Sequence, residues 1–428
     1  MELTKETIEF IKSSPTAFNA IYNMRSILLK HGFIELKEEE PFSDLKDHHG
    51  YFVIRNSSSL IAFNYRKDYA NFIFALSHSD SPCLKLKPNP LTYSANVTLL
   101  RSEPYGGGIY STFLDTPLNL SGRIVSKINS GSEIELKTYI VDANEDLCFI
   151  PNLPIHFNRD VNKGYEYNPN KDLNAVLSSD KIESFPNYLK EKFSIEGDIA
   201  SFDLFLTNHV EPRLSGQKRE YILSPRLDNL TSAFLSLKAF IDAKDASSCF
   251  PVYACFNNEE VGSLTYQGAN STFLKDILNR IKVSLNLNDD KFLATLSSSF
   301  ALSIDNAHAI NPNHPEIYDA NPVYMGKGVV IKYNASEKYT SNALSASIFK
   351  SILDKENIPY QEFTNRSDLP GGSTLGNLLQ SIVSLKMVDI GIGQLAMHSS
   401  YESAEVKDLN YMYKAVLACY KNKLPKLI

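Results

Sequence analysis

What most constrains the fold of this chain is a set of short, almost unbroken apolar runs spaced between amphipathic helical patterns. The runs are NFIFAL (71–76), FPVYACF (250–256), FALSI (300–304), GVVIKY (328–333) and MVDIGI (387–392). A strand with one wet face alternates polar and apolar residues. Runs that do not alternate are buried on both faces, as in a parallel sheet covered by helices. The helical patterns fit that role. Ile8 and Ile11, then Ile21, Met24, Ile27 and Leu28, recur at helical spacing on either side of a break at SSP. Leu230, Phe234, Leu237 and Ile241 share another helix face. From about residue 90 to 222 the chain changes character. Strand-like pieces (LTYSANVTLL, LNLSGRIV, EIELKTYIV, DLFLTN) alternate with Gly-, Asn- and Pro-rich loops. The expected fold is α/β: a mostly parallel sheet with helices on both faces, formed by residues 1–90 and 223–428 and interrupted by a β-rich domain over 91–222.

Acidic residues and histidines collect just after these runs. His78 and Asp80 follow the first, Glu259 and Glu260 the second, and Asp305 the third. Asp228 follows YILSPRL, and His398 follows MVDIGIGQLAM. In open α/β sheets ligands bind outside the carboxyl ends of the strands, so these side chains are expected to converge. Carboxylates crowded into a partly dry volume resist joint ionisation. Two divalent cations would remove the conflict. Carboxylates and imidazoles without a thiolate suit Zn²⁺, Mn²⁺ or Co²⁺. A metal pair can clamp an attacking water and a substrate oxygen, leaving one carboxylate free as general base. Neighbours in an extended chain point opposite ways. On that geometry Glu259 and Glu260 divide the work, one on a metal and one facing the water.

The chain carries a net charge of −6 over 428 residues, which argues against a nucleic-acid partner. No apolar run approaches the roughly 20 residues of a membrane helix. The opening MELTKETIEF lacks a basic stretch leading into an apolar core, so no signal peptide is expected. Five scattered cysteines without a CxxC pattern suggest free thiols in a reducing compartment, and the expected location is the cytoplasm.

Nine stretches, in order along the chain, look like the motifs of one family. They are SHSDSPCLKLKP, YGGGIYSTFLD, IPNLPIH, SPRLDNL, NNEEVGS, DNAHA, GVVIKYN, SDLPGGSTLG and VDIGIGQLAMHSSYE. Together they resemble the aspartyl aminopeptidase/aminopeptidase I metallopeptidases of the MH clan, over nearly the whole chain. The resemblance implies removal of an N-terminal residue, acidic by preference, from peptides by a two-metal enzyme, most often with zinc. It implies that Asp228 bridges the ions, that His78 and Asp305 complete one site, and that Glu260 and His398 complete the other. Glu259 would be the general base, and Asp80 would orient His78. His156, on the β-rich domain, would reach a neighbouring subunit's active site. That domain would build dimers, which assemble into a tetrahedral dodecamer. Lys332 and Tyr339 would line the substrate pocket, with Lys332 opposite an acidic side chain.

The sequence departs from the family pattern at three places. Asn311 stands where a histidine is usual, Lys338 replaces an arginine before Tyr339, and Gly372 replaces a cysteine. Of these only Lys338 bears on the substrate pocket, because a lysine does not grip a carboxylate as an arginine fork does. His308, near Asp305, is read as a packing residue and not a ligand. Gly106–Gly108 lack the GxxxxGK pattern of a phosphate loop and are read as close-packed backbone. The alternatives are another two-metal exopeptidase or amide deacylase of the clan, a neutral N-terminal preference, or a scaffold without activity. The scaffold reading is disfavoured, since all five ligand positions and the base are present.

Overall fold

The computed structural model describes residues 2–426 apart from 131–132, 247 and 370. A nine-stranded sheet occupies its centre. Its strands run, edge to edge, Ile34–Leu36, His49–Arg55, Ser59–Tyr65, Phe250–Phe256, Phe72–His78, Phe300–Ile304, Lys386–Gly391, Val329–Tyr333 and Tyr360–Thr364. The four strands from Phe250–Phe256 to Lys386–Gly391 are parallel to one another. Antiparallel pairing is confined to the flanks, around Ser59–Tyr65 and between Lys386–Gly391 and Val329–Tyr333. The mostly parallel sheet expected from the apolar runs is present.

The lack of alternation in the runs has a direct cause. All seven residues of Phe72–His78 are buried. Phe72, Phe74 and Leu76 join one apolar cluster with Phe273 and Ile277 of the helix Phe273–Ser284. Ile73 and Ala75 join another with Met24, Phe240 and Val416, from the helices Ala17–Lys30, Leu227–Asp242 and Val406–Lys421. Each large side chain so buried contributes about 1.5–3 kcal/mol relative to exposure. A charge on either face of this strand would find no solvent.

The chain leaves the central strand at His78 and passes through four residues into a second sheet. This one is six-stranded and antiparallel throughout, in the order Glu133–Asp142, Leu118–Ser130, Asp198–Asn208, Cys83–Ser94, Val97–Tyr105, Ala175–Ser178. It has its own core around Leu86, Leu120, Ile124 and Leu204. The return is pinned where Asn208 donates from Nδ2 to the Ser400 carbonyl at 2.9 Å. A small third sheet contains the strands Tyr221–Ser224, Glu402–Glu405 and Gly393–Leu395, with Glu402–Glu405 between the other two. No helix among the described residues is long and apolar enough to cross a membrane.

Candidate active site

Register explains why the predicted residues meet. The strand Phe250–Phe256 pairs with Phe72–His78 so that Phe256 lies beside His78. On the other side Ser303 lies beside Leu76. The three carboxyl ends are therefore level. His78 ends one strand, Asp305 follows the second, and Glu259 and Glu260 follow the third. Asp228 enters from the start of Leu227–Asp242, where it keeps φ −82° and ψ 111° outside the helical region. His398 enters from the loop after Gly393–Leu395.

The side chains form two linked groups about Asp228. His78 Nε2 lies 3.6 Å from Asp228 Oδ1 and 3.4 Å from Asp305 Oδ1. His398 Nε2 lies 3.6 Å from Asp228 Oδ2 and 3.4 Å from Glu260 Oε2. In each trio, one ligand atom from every residue lies within 4.8 Å of the others. Both oxygens of Asp228 are thus engaged, one with each histidine. The spacings are too long for good hydrogen bonds and are those of ligands around a central ion. Two buried oxygens, Asp228 Oδ1 and Glu260 Oε1, have no hydrogen-bond partner among the described residues. Buried acceptors seldom go unpartnered, so these atoms fit a cation.

Electrostatics agree. Burial pushes the Glu259 carboxyl up to about 8, and Asp305, Asp80 and Asp228 add to the rise against the pull of His78. Glu260 is pushed well above its ordinary value, first by burial. Burial opposes the charge on His398, but Asp228 and Glu260 outweigh it and raise the imidazole to about 10. His78 is raised well above its ordinary value in the same way, by Asp228, Asp305 and Asp80 against burial. Burial would raise Asp228, yet the two imidazoles hold it well below the usual carboxylate range. Without metal the cluster keeps protons in the places where cations would balance the charge.

Asp80 is buried and joins neither trio. Its Oδ1 lies 3.4 Å from His78 Nδ1 and accepts the Glu259 backbone N–H at 3.2 Å. Its Oδ2 accepts the Glu260 N–H at 3.2 Å and the Tyr105 hydroxyl at 2.7 Å. The Asp80 carbonyl lies 3.1 Å from the same Nδ1, so Asp80 braces the imidazole of His78 through its backbone and its carboxylate together, and the carboxylate fixes the turn bearing both glutamates. That turn corrects one expectation. Glu259–Val261 is a single 3₁₀ turn entered through Asn258 at φ 65°, not extended chain. The two side chains divide only in part: Glu260 faces His398, and both glutamates group with His78.

The cleft over the cluster, about 530 Å³, is lined by His308, Lys332, Tyr339, Phe363 and Thr374 among others. The Lys332 ammonium is buried and donates to the carbonyls of Asp305 and Asn306 at 2.9 and 3.3 Å, and to Asp305 Oδ2 at 3.5 Å. It lies 5.2 Å from the centre of the Tyr339 ring. Lys338 donates to the Gly371 carbonyl at 2.9 Å. His308 lines the cleft but joins neither trio. His156 is not brought to the cluster. It sits on an exposed turn with Leu153, Ile155 and Phe157, the last 82% exposed.

Of the glycines at 106–108, expected to pack closely, Gly106 does so, while Gly107 and Gly108 have room for ordinary contacts. A Cβ on Gly106, which has φ +74°, would come within 3.1 Å of Glu260 Cβ. The Gly107 carbonyl lies 3.2 Å from His398 Nδ1.

A model of the family described as aminopeptidase I zinc metalloprotease (M18) matches residues 10–420. The chain belongs to the M18 aminopeptidase family. It is a metallo-aminopeptidase, a hydrolase. A probable M18 family aminopeptidase 2 of Clostridium acetobutylicum is 38% identical to it, over 97% of this chain and 98% of the relative. Aspartyl aminopeptidase 1 of Schizosaccharomyces pombe is 32% identical, over 97% and 94%. A chain in the cryo-EM structure of the Ape4 and Nbr1 complex superposes with a TM-score of 0.92 at 31% identity, over 98% of this chain and 85% of that one.

Two groups of this M18 aminopeptidase, half-buried Tyr105 and buried Glu402, lie beyond the residues singled out from sequence. Tyr105 reaches Asp80 from the end of a strand of the second sheet. Glu402, inside HSSYE, lies behind Asp228 and His398. The signal for Glu402 was a charge four residues from His398 in an otherwise uncharged stretch.

Proposed function

We propose that this aminopeptidase uses two divalent ions. His78 and Asp305 would hold one, Glu260 and His398 the other, and Asp228 would bridge them. The observation that carries this reading is the division of the two Asp228 oxygens between the two imidazoles. Bound ions would polarise the scissile carbonyl and lower the pKa of water. Glu259 takes the proton of the attacking water and delivers it to the leaving amine. Asp80 orients His78 and holds the Glu259 turn in place. Lys332 holds Asp305. The test is a metal titration with stoichiometry: two equivalents of Zn²⁺ per chain in the wild type, and still two in Glu259→Gln with turnover nearly lost. A wild type that is fully active with one equivalent would refute the dinuclear reading.

We further propose a preference for acidic N-terminal residues, with Lys332 and Tyr339 lining the pocket that receives the side chain. The curated relative named aspartyl aminopeptidase supports it. One observation favours the alternative, a neutral preference: Lys332 already has three acceptors. Profiling peptides by N-terminal residue separates the two. The second sheet is proposed as a dimerisation surface in a homo-oligomer, up to a dodecamer, in which His156 serves a neighbouring site. The exposure of Ile134, Leu136 and the Leu153–Phe157 turn supports this. Sedimentation showing an active monomer would rule it out.

A further inference from the structure

Three turns that carry the cluster contain a non-glycine residue in the left-handed region. These are Arg226 at φ 57° before Asp228, Asn258 at φ 65° before Glu259, and His398 itself at φ 68°. Such a conformation costs about 1–2 kcal/mol for most residues. It persists only where the surroundings hold it. Asp80 holds the Asn258 turn. At the other two, one side chain that is no candidate ligand accepts the backbone N–H of Asp228 and of His398.

Glu402 is buried, with 2% of its surface exposed. Its Oε2 accepts the Asp228 backbone N–H at 2.9 Å. Its Oε1 accepts the His398 backbone N–H at 2.8 Å and the Gln394 amide at 3.2 Å. The small sheet explains how one side chain reaches both. Glu402 opens the middle strand. Ser224 pairs beside it at the end of the strand leading to Asp228. Leu395, across from Ser403 on the other side, ends the strand leading to His398.

We infer that Glu402 is a positioning residue for Asp228 and His398, aiming both side chains at the ion they share while touching no ion itself. The inference rests on the metal roles proposed above. The chemistry of the carboxylate supports it. A buried carboxylate is costly to desolvate, and a glutamine would fill the same volume without that cost. A glutamine has one acceptor oxygen. Its amide NH₂ would confront either the Asp228 or the His398 N–H, and an unsatisfied buried donor is expensive. Only the carboxylate accepts on both sides at once.

The test measures zinc affinity by competition with a chromophoric chelator, without substrate, alongside the unfolding midpoint of the metal-free protein. Glu402→Gln is expected to weaken zinc binding about 10–100-fold, the usual effect of losing a group that orients a ligand. Its metal-free midpoint should change little, because the donor left without an acceptor is offset by the lost cost of burying a carboxylate. Gln394→Leu cuts the same network without touching either backbone N–H, and should hold zinc as the wild type does. Unchanged affinity in Glu402→Gln, or an equal loss in Gln394→Leu, overturns the inference. If Glu402→Gln does not fold, Glu402→Asp replaces it: one methylene shorter, it reaches one N–H only, and unchanged affinity again overturns the inference. A wild type that binds no zinc would instead overturn the metal roles themselves, a result distinct from either outcome.

Discussion

The two halves of the cluster are made of different material. The His78 half stands on the ends of the parallel strands, with side-chain exposures of 1% for His78 and 13% for Asp305. A carboxylate braces its imidazole from behind, and the Lys332 ammonium braces Asp305. In the other half Glu260 also follows a parallel strand and is 4% exposed, but His398 hangs on a loop of the small sheet and is 34% exposed. Its imidazole has the Gly107 carbonyl 3.2 Å from Nδ1, where that of His78 has both the carbonyl and the carboxylate of Asp80. The comparison teaches that similar ligand chemistry can rest on supports of unequal stiffness. The half fixed by strand register should hold its ion longer than the half fixed by loops.

The largest effect should come from removing what the halves share. Asp228→Ala should lose both ions and all measurable hydrolysis, as metal analysis of the dialysed protein would reveal. A tight equivalent remaining would mean that the halves are independent. Next, Glu259→Gln should cut kcat by about 10²–10⁴-fold with both ions retained. Stepwise chelation should then separate the halves. One equivalent should leave first from the wild type, and His398→Ala should keep the slower one. If His78→Ala keeps its metal better than His398→Ala, the ranking is reversed. Removing the Tyr105 hydroxyl (Tyr105→Phe) should have a smaller effect, about tenfold or less on metal affinity, felt through Asp80 by His78 and by the turn bearing Glu260.

The smallest effect concerns pH. In the metal-free protein Glu259 and His398 hold protons more tightly than in the unfolded chain, up to about 8 and about 10. Stability from such groups is present below their unfolded values and lost as pH rises through the folded ones. The metal-free melting temperature should therefore fall between about pH 6.5 and 9, and saturating zinc should flatten the curve. A metal-free protein that grows more stable over that range would contradict the proton-filled cluster.

The α/β fold was legible because burial on both faces writes itself into local runs such as FPVYACF. The ligand side chains were legible because strand ends follow those runs. The braces were not. Glu402 and Tyr105 act on residues far away in sequence, and no local period reports a hydrogen bond to a distant backbone. The Glu259–Glu260 turn was misread as extended because Asn258 enters the left-handed region without a glycine to announce it. His156 lies on an exposed turn of its own chain, so a single subunit gives it no partner at the cluster.

The close approach at 105–107 has a consequence for heredity. Tyr105, through Asp80, and Gly107, at His398, brace the cluster from one stretch at the edge of the second sheet, and Gly106, at φ +74°, packs tightly beside Glu260. That sheet is no interchangeable cassette. A chimera that grafts it from a distant relative must bring matching residues at all three positions, or inherit a misaligned centre. Recombination within this lineage should respect the seam.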